Sequence, residues 1–142
     1  MTEQTRETLR TQANWLAFGH ALSGLVIGAL GLLFLGHVAV GVAVLGGWLP
    51  LDDTSPGMDW LFGGMFLVIG TLAVMGCELF AAVSLYAAYC FTTSRHRMFL
   101  IVVQAFNLMH QPIGTVLGVL GLVWLFQEDT KALFEENADP MV

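Results

Sequence analysis

Polar and apolar positions in this chain do not alternate over short distances but separate into long blocks. No charged residue occurs from residue 11 to 51 or from 98 to 127, and Glu78 is the only one from residue 60 to 94. A helix needs about 20 apolar residues to cross a hydrocarbon core about 30 Å thick. Each block therefore predicts a membrane-spanning helix, and the blocks lack the short-range alternation of barrel strands.

The block lengths predict an all-α membrane protein with one domain over residues 1–142. We expect a bundle of three transmembrane helices at about 14–49, 60–91 and 98–126, with short polar tails at 1–12 and 127–142. The first block is longer than one span requires. Because glycines weaken a helix, this block can instead fold back near Gly36, which leaves a fourth span open.

Pro112 interrupts the third block. It has no N–H to donate to the carbonyl of Leu108, and its ring clashes with that carbonyl in a regular helix. We expect the third helix to be kinked at Pro112, with a neighbouring side chain or water satisfying the freed carbonyl. If the block were split at Pro112, each piece would be too short to span comfortably, but a re-entrant dip stays open.

Basic residues are distributed unevenly around the blocks. Arg6 and Arg10 precede the first block, Arg95 and Arg97 lie between the second and the third, and the loop after the first block carries only acidic charges. Lys and Arg are enriched on the cytoplasmic side of membrane proteins, so this distribution places the N-terminus inside. With three spans, the C-terminal tail is then expected outside.

Composition narrows the range of functions. The chain is 56% hydrophobic and 11% charged, with a net charge of −6, whereas soluble domains carry about 25% charged residues. So few basic residues cannot form a cationic surface, and we expect no nucleic-acid partner. The sequence has no nucleophile elbow, phosphate loop or Cys/His metal pattern, so we expect neither enzymatic chemistry nor a bound cofactor or metal.

Small residues mark the helix faces that should meet. In lipid, helices associate through close backbone approach and interhelical hydrogen bonds, because the surrounding acyl chains remove the hydrophobic driving force. Gly24 and Gly28 form a GxxxG pair in the first block, and Gly114 and Gly118 form another in the third. We expect these four glycines at helix–helix contacts.

Polar side chains follow one face of the third block, and a carboxylate interrupts the second. The candidate polar residues are Glu78, Gln104, Asn107, His110, Gln111 and Thr115. Polar groups are costly in lipid unless they are paired, so they form either an interhelical network or the lining of a pathway. In a pathway, the break at Pro112 would act as the gate and Glu78 as a proton or cation site.

Two histidines leave a further alternative open. A bis-histidine haem site needs two imidazoles that face each other from different helices. His20 in the first block and His110 in the third could supply them if these helices pack together. A histidine in an apolar helix more often bonds a backbone carbonyl or an amide, so haem binding ranks below the other interpretations.

Two stretches carry a family likeness. The stretch from Leu16 to Gly47 combines two histidines with trailing glycines, and Ser94 to Phe134 contains the pattern R-x-R-x-F followed by P-x-G-T-x-L-G. The pattern falls on Arg95, Arg97, Phe99, Pro112, Gly114, Thr115, Leu117, Gly118 and the terminal aromatic Phe134. The chain thereby resembles an uncharacterised family of small bacterial integral membrane proteins. The resemblance implies a helical protein of the bacterial inner membrane and no particular activity.

These observations lead to one expected function and two alternatives. We expect a small integral membrane protein with a structural or accessory role, which forms a homo-oligomer or a hetero-complex with a larger membrane partner. The first alternative is a small transporter or channel subunit that uses the polar seam and Glu78. The second is a haem-binding electron-transfer subunit.

Overall fold

The computed structural model describes residues 2–49, 57–110 and 112–137, and this part of the chain is helical with no β-strand. The predicted all-α class is therefore confirmed. The helices are α1 (Glu3–Leu33), α2 (Leu35–Leu45), α3 (Met58–Thr93), α4 (Arg97–Asn107), α5 (Ile113–Leu125) and α6 (Glu128–Glu136).

Two of the apolar blocks form helices long enough to cross a membrane. The first runs over Glu3–Leu45 with a brief interruption at Phe34, and the second is α3. The first block does not fold back near Gly36, because α2 resumes at Leu35 and continues to pack along α3. The fourth span that the glycines left open is therefore not formed.

The third block differs from the predicted single kinked helix. It forms α4 and α5, which run antiparallel and pack against each other. The side chain of Arg97, the first residue of α4, donates to the carbonyl oxygen of Leu125, the last residue of α5, with the shorter bond at 2.8 Å. In one continuous helix these residues would be about 42 Å apart. The expected kinked span is therefore wrong, and Pro112 lies in the turn of a helical hairpin.

The chain divides into two compact units, a first unit of residues 1–24 and 82–142 and a second unit of residues 25–81. In the second unit, the first apolar block packs antiparallel to α3 at glycines, which have no side chain to separate the two backbones. A Cβ at Gly28 would lie 3.3 Å from Cβ of Ala81, and one at Gly41 would lie 2.6 Å from the backbone nitrogen of Leu67. Because glycine lets the two backbones approach this closely, van der Waals packing can hold the pair together.

The first unit contains a core built around aromatic rings. Phe91 of α3 packs on Trp124 of α5 with ring centroids 5.6 Å apart, and Trp124 meets Phe134 of α6 at 5.9 Å. Leu100 and Leu125 are fully buried beside them. Segments of five helices, including α1 through Leu9 and Leu16, thus contribute to one apolar core.

An ion pair brings the two ends of the described chain together. Arg6 near the start of α1 donates to Glu136 at the end of α6, with a nitrogen–oxygen distance of 2.9 Å. A hydrocarbon core about 30 Å thick cannot separate groups in contact. The expectation that the C-terminal tail lies on the opposite face from the N-terminus is therefore wrong. Because α4 and α5 fold back, the third block forms no helix of spanning length among the described residues.

The packing of the second unit predicts opposite effects for two glycine substitutions. Gly41→Ala should lower the free energy of unfolding by about 1–3 kcal/mol, because its Cβ meets backbone atoms that cannot swing away. Gly76→Ala in α3 is the matched control, since a Cβ there would meet no other atom within 4 Å. Its better helix propensity should leave stability unchanged or raise it by up to about 1 kcal/mol. Reversible unfolding in mixed micelles measures both, and equal effects would contradict the packing.

Candidate functional site

The first unit buries a small polar network between α1 and α4. His20, Gln104 and Asn107 are 1%, 0% and 4% exposed. Nε2 of Gln104 lies 2.8 Å from Nε2 of His20, and Nδ2 of Asn107 donates to Oε1 of Gln104 at 3.4 Å. Because an amide nitrogen only donates, Nε2 of His20 accepts, which makes the imidazole neutral with its proton on Nδ1. Two hydrogen bonds thus join the three side chains in series.

Glycines of α5 bring that helix against Gln104. A Cβ at Gly118 would lie 2.8 Å from the carbonyl oxygen of Gln104, and one at Gly121 would lie 2.5 Å from Cδ of its side chain. On the other side, the ring of His20 stacks on Phe91 with centroids 5.5 Å apart. The polar side chains are therefore enclosed by packed atoms.

The carbonyl freed by Pro112 has a donor within the hairpin. Oγ1 of Thr115 donates to the carbonyl oxygen of Leu108 at 3.1 Å. The hydroxyl of Thr115, in the first turn of α5, therefore satisfies a carbonyl at the end of α4. We expected a neighbouring side chain or water to satisfy this carbonyl. Gly114 lies at the same turn, where its Cβ would come within 2.8 Å of the carbonyl oxygen of Asn107.

Of the other predicted polar residues, the structure describes Glu78 and His110. His110 is exposed in the hairpin turn, and Gln111 lies outside the described residues. Glu78 belongs to the second unit, where it is exposed and its Oε1 lies 3.0 Å from where a Cβ of Gly31 would be. Within the described ranges, Glu78 makes no ion pair or side-chain hydrogen bond.

The predicted glycine pairs are used within the chain. Gly114 and Gly118 face α4, Gly28 faces α3, and Gly24 is buried in the first unit. The two GxxxG motifs therefore contribute to intramolecular contacts, which leaves less of their surface for contacts with a second molecule than the sequence suggested.

The arrangement suits a structural network better than a pathway or a haem site. Gln104 and Asn107 are enclosed by packed atoms, and Thr115 is used by the hairpin itself. One face of the His20 ring and its Nε2, the nitrogen that a haem iron commonly takes, are occupied by Phe91 and Gln104. Among the described residues, no three His, Cys, Asp or Glu side chains group in a way that could hold a metal ion.

Arg97 has a role that the sequence did not indicate. Its Nε and Nη2 both donate to the carbonyl oxygen of Leu125, at 3.1 and 2.8 Å, and its guanidinium lies 5.9 Å from the ring centroid of Phe126. A cation is favourable at the carbonyl end of a helix, because that end carries a partial negative charge. Arg97 therefore stabilises the open end of the hairpin, which is the end opposite the turn, where α4 begins and α5 ends.

Comparisons of the chain with protein-family models, with curated proteins and with solved structures found no match. The resemblance to a family of small bacterial membrane proteins thus stays a prediction from the sequence motifs.

The polar network predicts a measurable coupling between two helices that are distant in sequence. In a double-mutant cycle, His20→Leu and Gln104→Leu should each destabilise the protein, because each leaves a buried partner unpaired. Their effects should be non-additive by about 0.6–1.7 kcal/mol, the usual range for hydrogen bonds between membrane helices. Reversible unfolding in micelles measures the cycle. A coupling energy of zero would show that the two side chains do not depend on each other.

Proposed function

We propose that the chain is an integral protein of a bacterial cytoplasmic membrane with a structural or accessory role. The distribution of polarity supports this proposal. Large apolar side chains such as Trp15, Phe106 and Met109 lie on the surface, whereas His20 and Gln104 are buried. A water-soluble domain buries its large apolar residues preferentially, and this inverted pattern is expected where the outer surface contacts acyl chains.

In the proposed topology, the first apolar block and α3 cross the membrane and both termini are cytoplasmic. The first unit contains both ends of the chain and all five basic residues, which are Arg6, Arg10, Arg95, Arg97 and Lys131. The loop between the two spans carries acidic residues only. An excess of Lys and Arg on one side marks that side as cytoplasmic, so the N-terminus remains inside and the C-terminus joins it.

The α4–α5 hairpin then enters the membrane and returns. At 1.5 Å per residue, α4 with its 11 residues is about 16 Å long and α5 with its 13 residues about 20 Å. Neither length covers a core about 30 Å thick. In this proposal, the turn that contains residues 108–110 and Pro112 would therefore lie within the hydrocarbon region.

In the proposed topology, the depth of this turn supports an accessory role. Irregular backbone at membrane depth is tolerated where protein or water covers it, and not where lipid does. Met109 in the turn is 80% exposed, so the described part of this chain leaves that side chain uncovered. A second copy or a larger membrane protein seated on the turn would complete the structure, and we propose that the chain functions in such a complex.

Transport is the competing proposal, and it has less support. The seam residues Gln104, Asn107 and Thr115 make hydrogen bonds within the chain, to His20 of α1, to each other and to the carbonyl oxygen of Leu108. Ion flux into proteoliposomes that exceeds empty vesicles and is abolished by Asn107→Leu would favour transport over an accessory role.

The topology predicts that both ends are protected from reagents outside the cell. In a background with Cys77 and Cys90 replaced by Ala, Glu3→Cys and Glu135→Cys should both resist a membrane-impermeant maleimide until the cells are opened. Met58→Cys, at the start of α3, should react in intact spheroplasts and serves as the positive control. Labelling of residue 135 from outside while residue 3 stays protected would contradict a two-span topology.

The accessory role predicts a protein contact at the hairpin turn. A photoreactive benzoylphenylalanine in place of Met109 should give a discrete cross-linked adduct in native membranes, either a dimer or a larger complex. The same probe at Leu22, an exposed position on α1, should give much less because we expect lipid there. If position 109 yields no protein adduct and the protein purifies alone as a monomer, the accessory role is wrong.

A further inference from the structure

The first unit contains a cavity where the apolar helices meet its charged end. Its volume is about 270 Å³, whereas one molecule of liquid water occupies about 30 Å³. Its polar lining comes from three parts of the chain: Arg10 and Asn14 of α1, Thr92, Thr93 and Ser94 at the end of α3, and Asn137 after α6. Ala13 and Phe91 complete the wall.

Arg10 is the charged residue in the lining of this cavity, and no described residue forms an ion pair with it. Arg6 and Lys131 each make an ion pair within the chain, and Arg97 bonds the end of α5. In the ranges that the structure describes, the guanidinium of Arg10 has no hydrogen bond or ion pair. A guanidinium offers five N–H donors in a planar fork, a geometry that matches two oxygens of a phosphate.

Ser94 supplies a hydroxyl without a partner among the described residues. The residue is 6% exposed and lines the cavity, and its hydroxyl makes no hydrogen bond to any other described residue. Ser94 also has a φ of 50° at the end of α3, where Arg95 donates its backbone N–H to the carbonyl of Cys90, and glycine is the usual residue at such a position. Serine here retains a donor that glycine lacks.

Other polar side chains of the lining already use donors within the chain, and one of them is Thr93, which donates to the carbonyl oxygen of Tyr89 at 2.9 Å. Thr92 donates to the carbonyl oxygen of Tyr89 at 2.9 Å, and Asn137 donates to that of Leu133 at 2.7 Å. Among the residues that the structure describes, no carboxylate lines the cavity. Arg10, Asn14 and Ser94 therefore present donors to a space in which those residues place no anion.

The position along the chain identifies the source of the anion. Arg10 is the last charge before the first apolar block, and Ser94 is the last residue of the second. In the proposed membrane topology, both lie at the depth of lipid headgroups on the cytoplasmic side. We propose that this cavity binds the phosphodiester of a phospholipid headgroup, with Arg10 as the charged ligand and Ser94 as a hydrogen-bond donor. The proposal rests on the membrane assignment.

Native mass spectrometry of the full-length protein in detergent, with added phosphatidylglycerol, tests the site. Wild type should retain one lipid, whereas a diacylglycerol without phosphate should not be retained. Arg10→Gln should weaken phosphatidylglycerol binding about tenfold or more, because it removes a charge-assisted bidentate contact. Arg95→Gln removes the same charge from an exposed position outside the cavity lining and should leave binding unchanged.

Ser94→Gly separates binding from folding. Glycine suits the backbone at this position, so the variant should unfold no more readily than wild type, while lipid binding weakens with the loss of the hydroxyl. Equal retention of phosphatidylglycerol by wild type, Arg10→Gln and Ser94→Gly would overturn the proposal, as would an equal loss in Arg95→Gln. Stabilisation by inorganic phosphate alone, as strong as that by lipid and lost in Arg10→Gln, would also contradict the lipid assignment.

The membrane assignment is checked separately in the same samples. If Arg10→Gln loses the lipid but stays in the membrane fraction after carbonate extraction, the site is supported and the membrane assignment stands. If wild type itself is released by carbonate, the membrane assignment fails, whatever the lipid measurements show.

Discussion

The close antiparallel contact between α4 and α5 is the constraint on which the rest of the first unit depends. It is possible because Gly114, Gly118 and Gly121 present no side chain to α4. Their absence of a Cβ lets Gln104 lie fully buried between helices, where its amide reaches His20. A hairpin that returns also carries the chain to α6 on the side of Arg6, which is why the two ends of the described chain meet.

Close backbone contact at glycines holds helices together in both units. In the proposed membrane location, burial of apolar surface would not draw helices together, so contact would require close backbones and satisfied polar groups. The second unit relies on close backbones, with Gly28 and Gly41 against α3. The first unit adds polar groups, since Arg97 satisfies the end of α5 and Thr115 satisfies the end of α4. These two bonds close the hairpin at its open end and at its turn.

The sequence predicted the helical class and the two long helices from local information. Charge-free blocks and glycine spacing depend only on neighbouring residues, so a single sequence reveals them. It favoured a kinked span over a re-entrant dip at Pro112 and did not identify the hairpin, because Pro112 is compatible with either a kink or a turn. The choice depends on whether Gly118 and Gly121 pack against Gln104 after the turn and whether Arg97 bonds the carbonyl oxygen of Leu125. Such contacts join residues that are far apart in sequence, and hydropathy alone carries no record of them. For the same reason, the sequence did not reveal that Gln104 is the hydrogen-bond partner of His20.

Direct measurement of the separation between the ends of the hairpin tests this account most sharply. Met98 and Phe126 are exposed and flank the bond from Arg97 to Leu125. Spin labels at cysteines introduced there, in a background without Cys77 and Cys90, report their distance by double electron–electron resonance in lipid nanodiscs. The hairpin predicts a separation below about 25 Å, label linkers included, whereas one continuous helix would place the labels about 42 Å apart. The longer distance would contradict the hairpin, the shared location of the two termini and the enclosed network around Gln104.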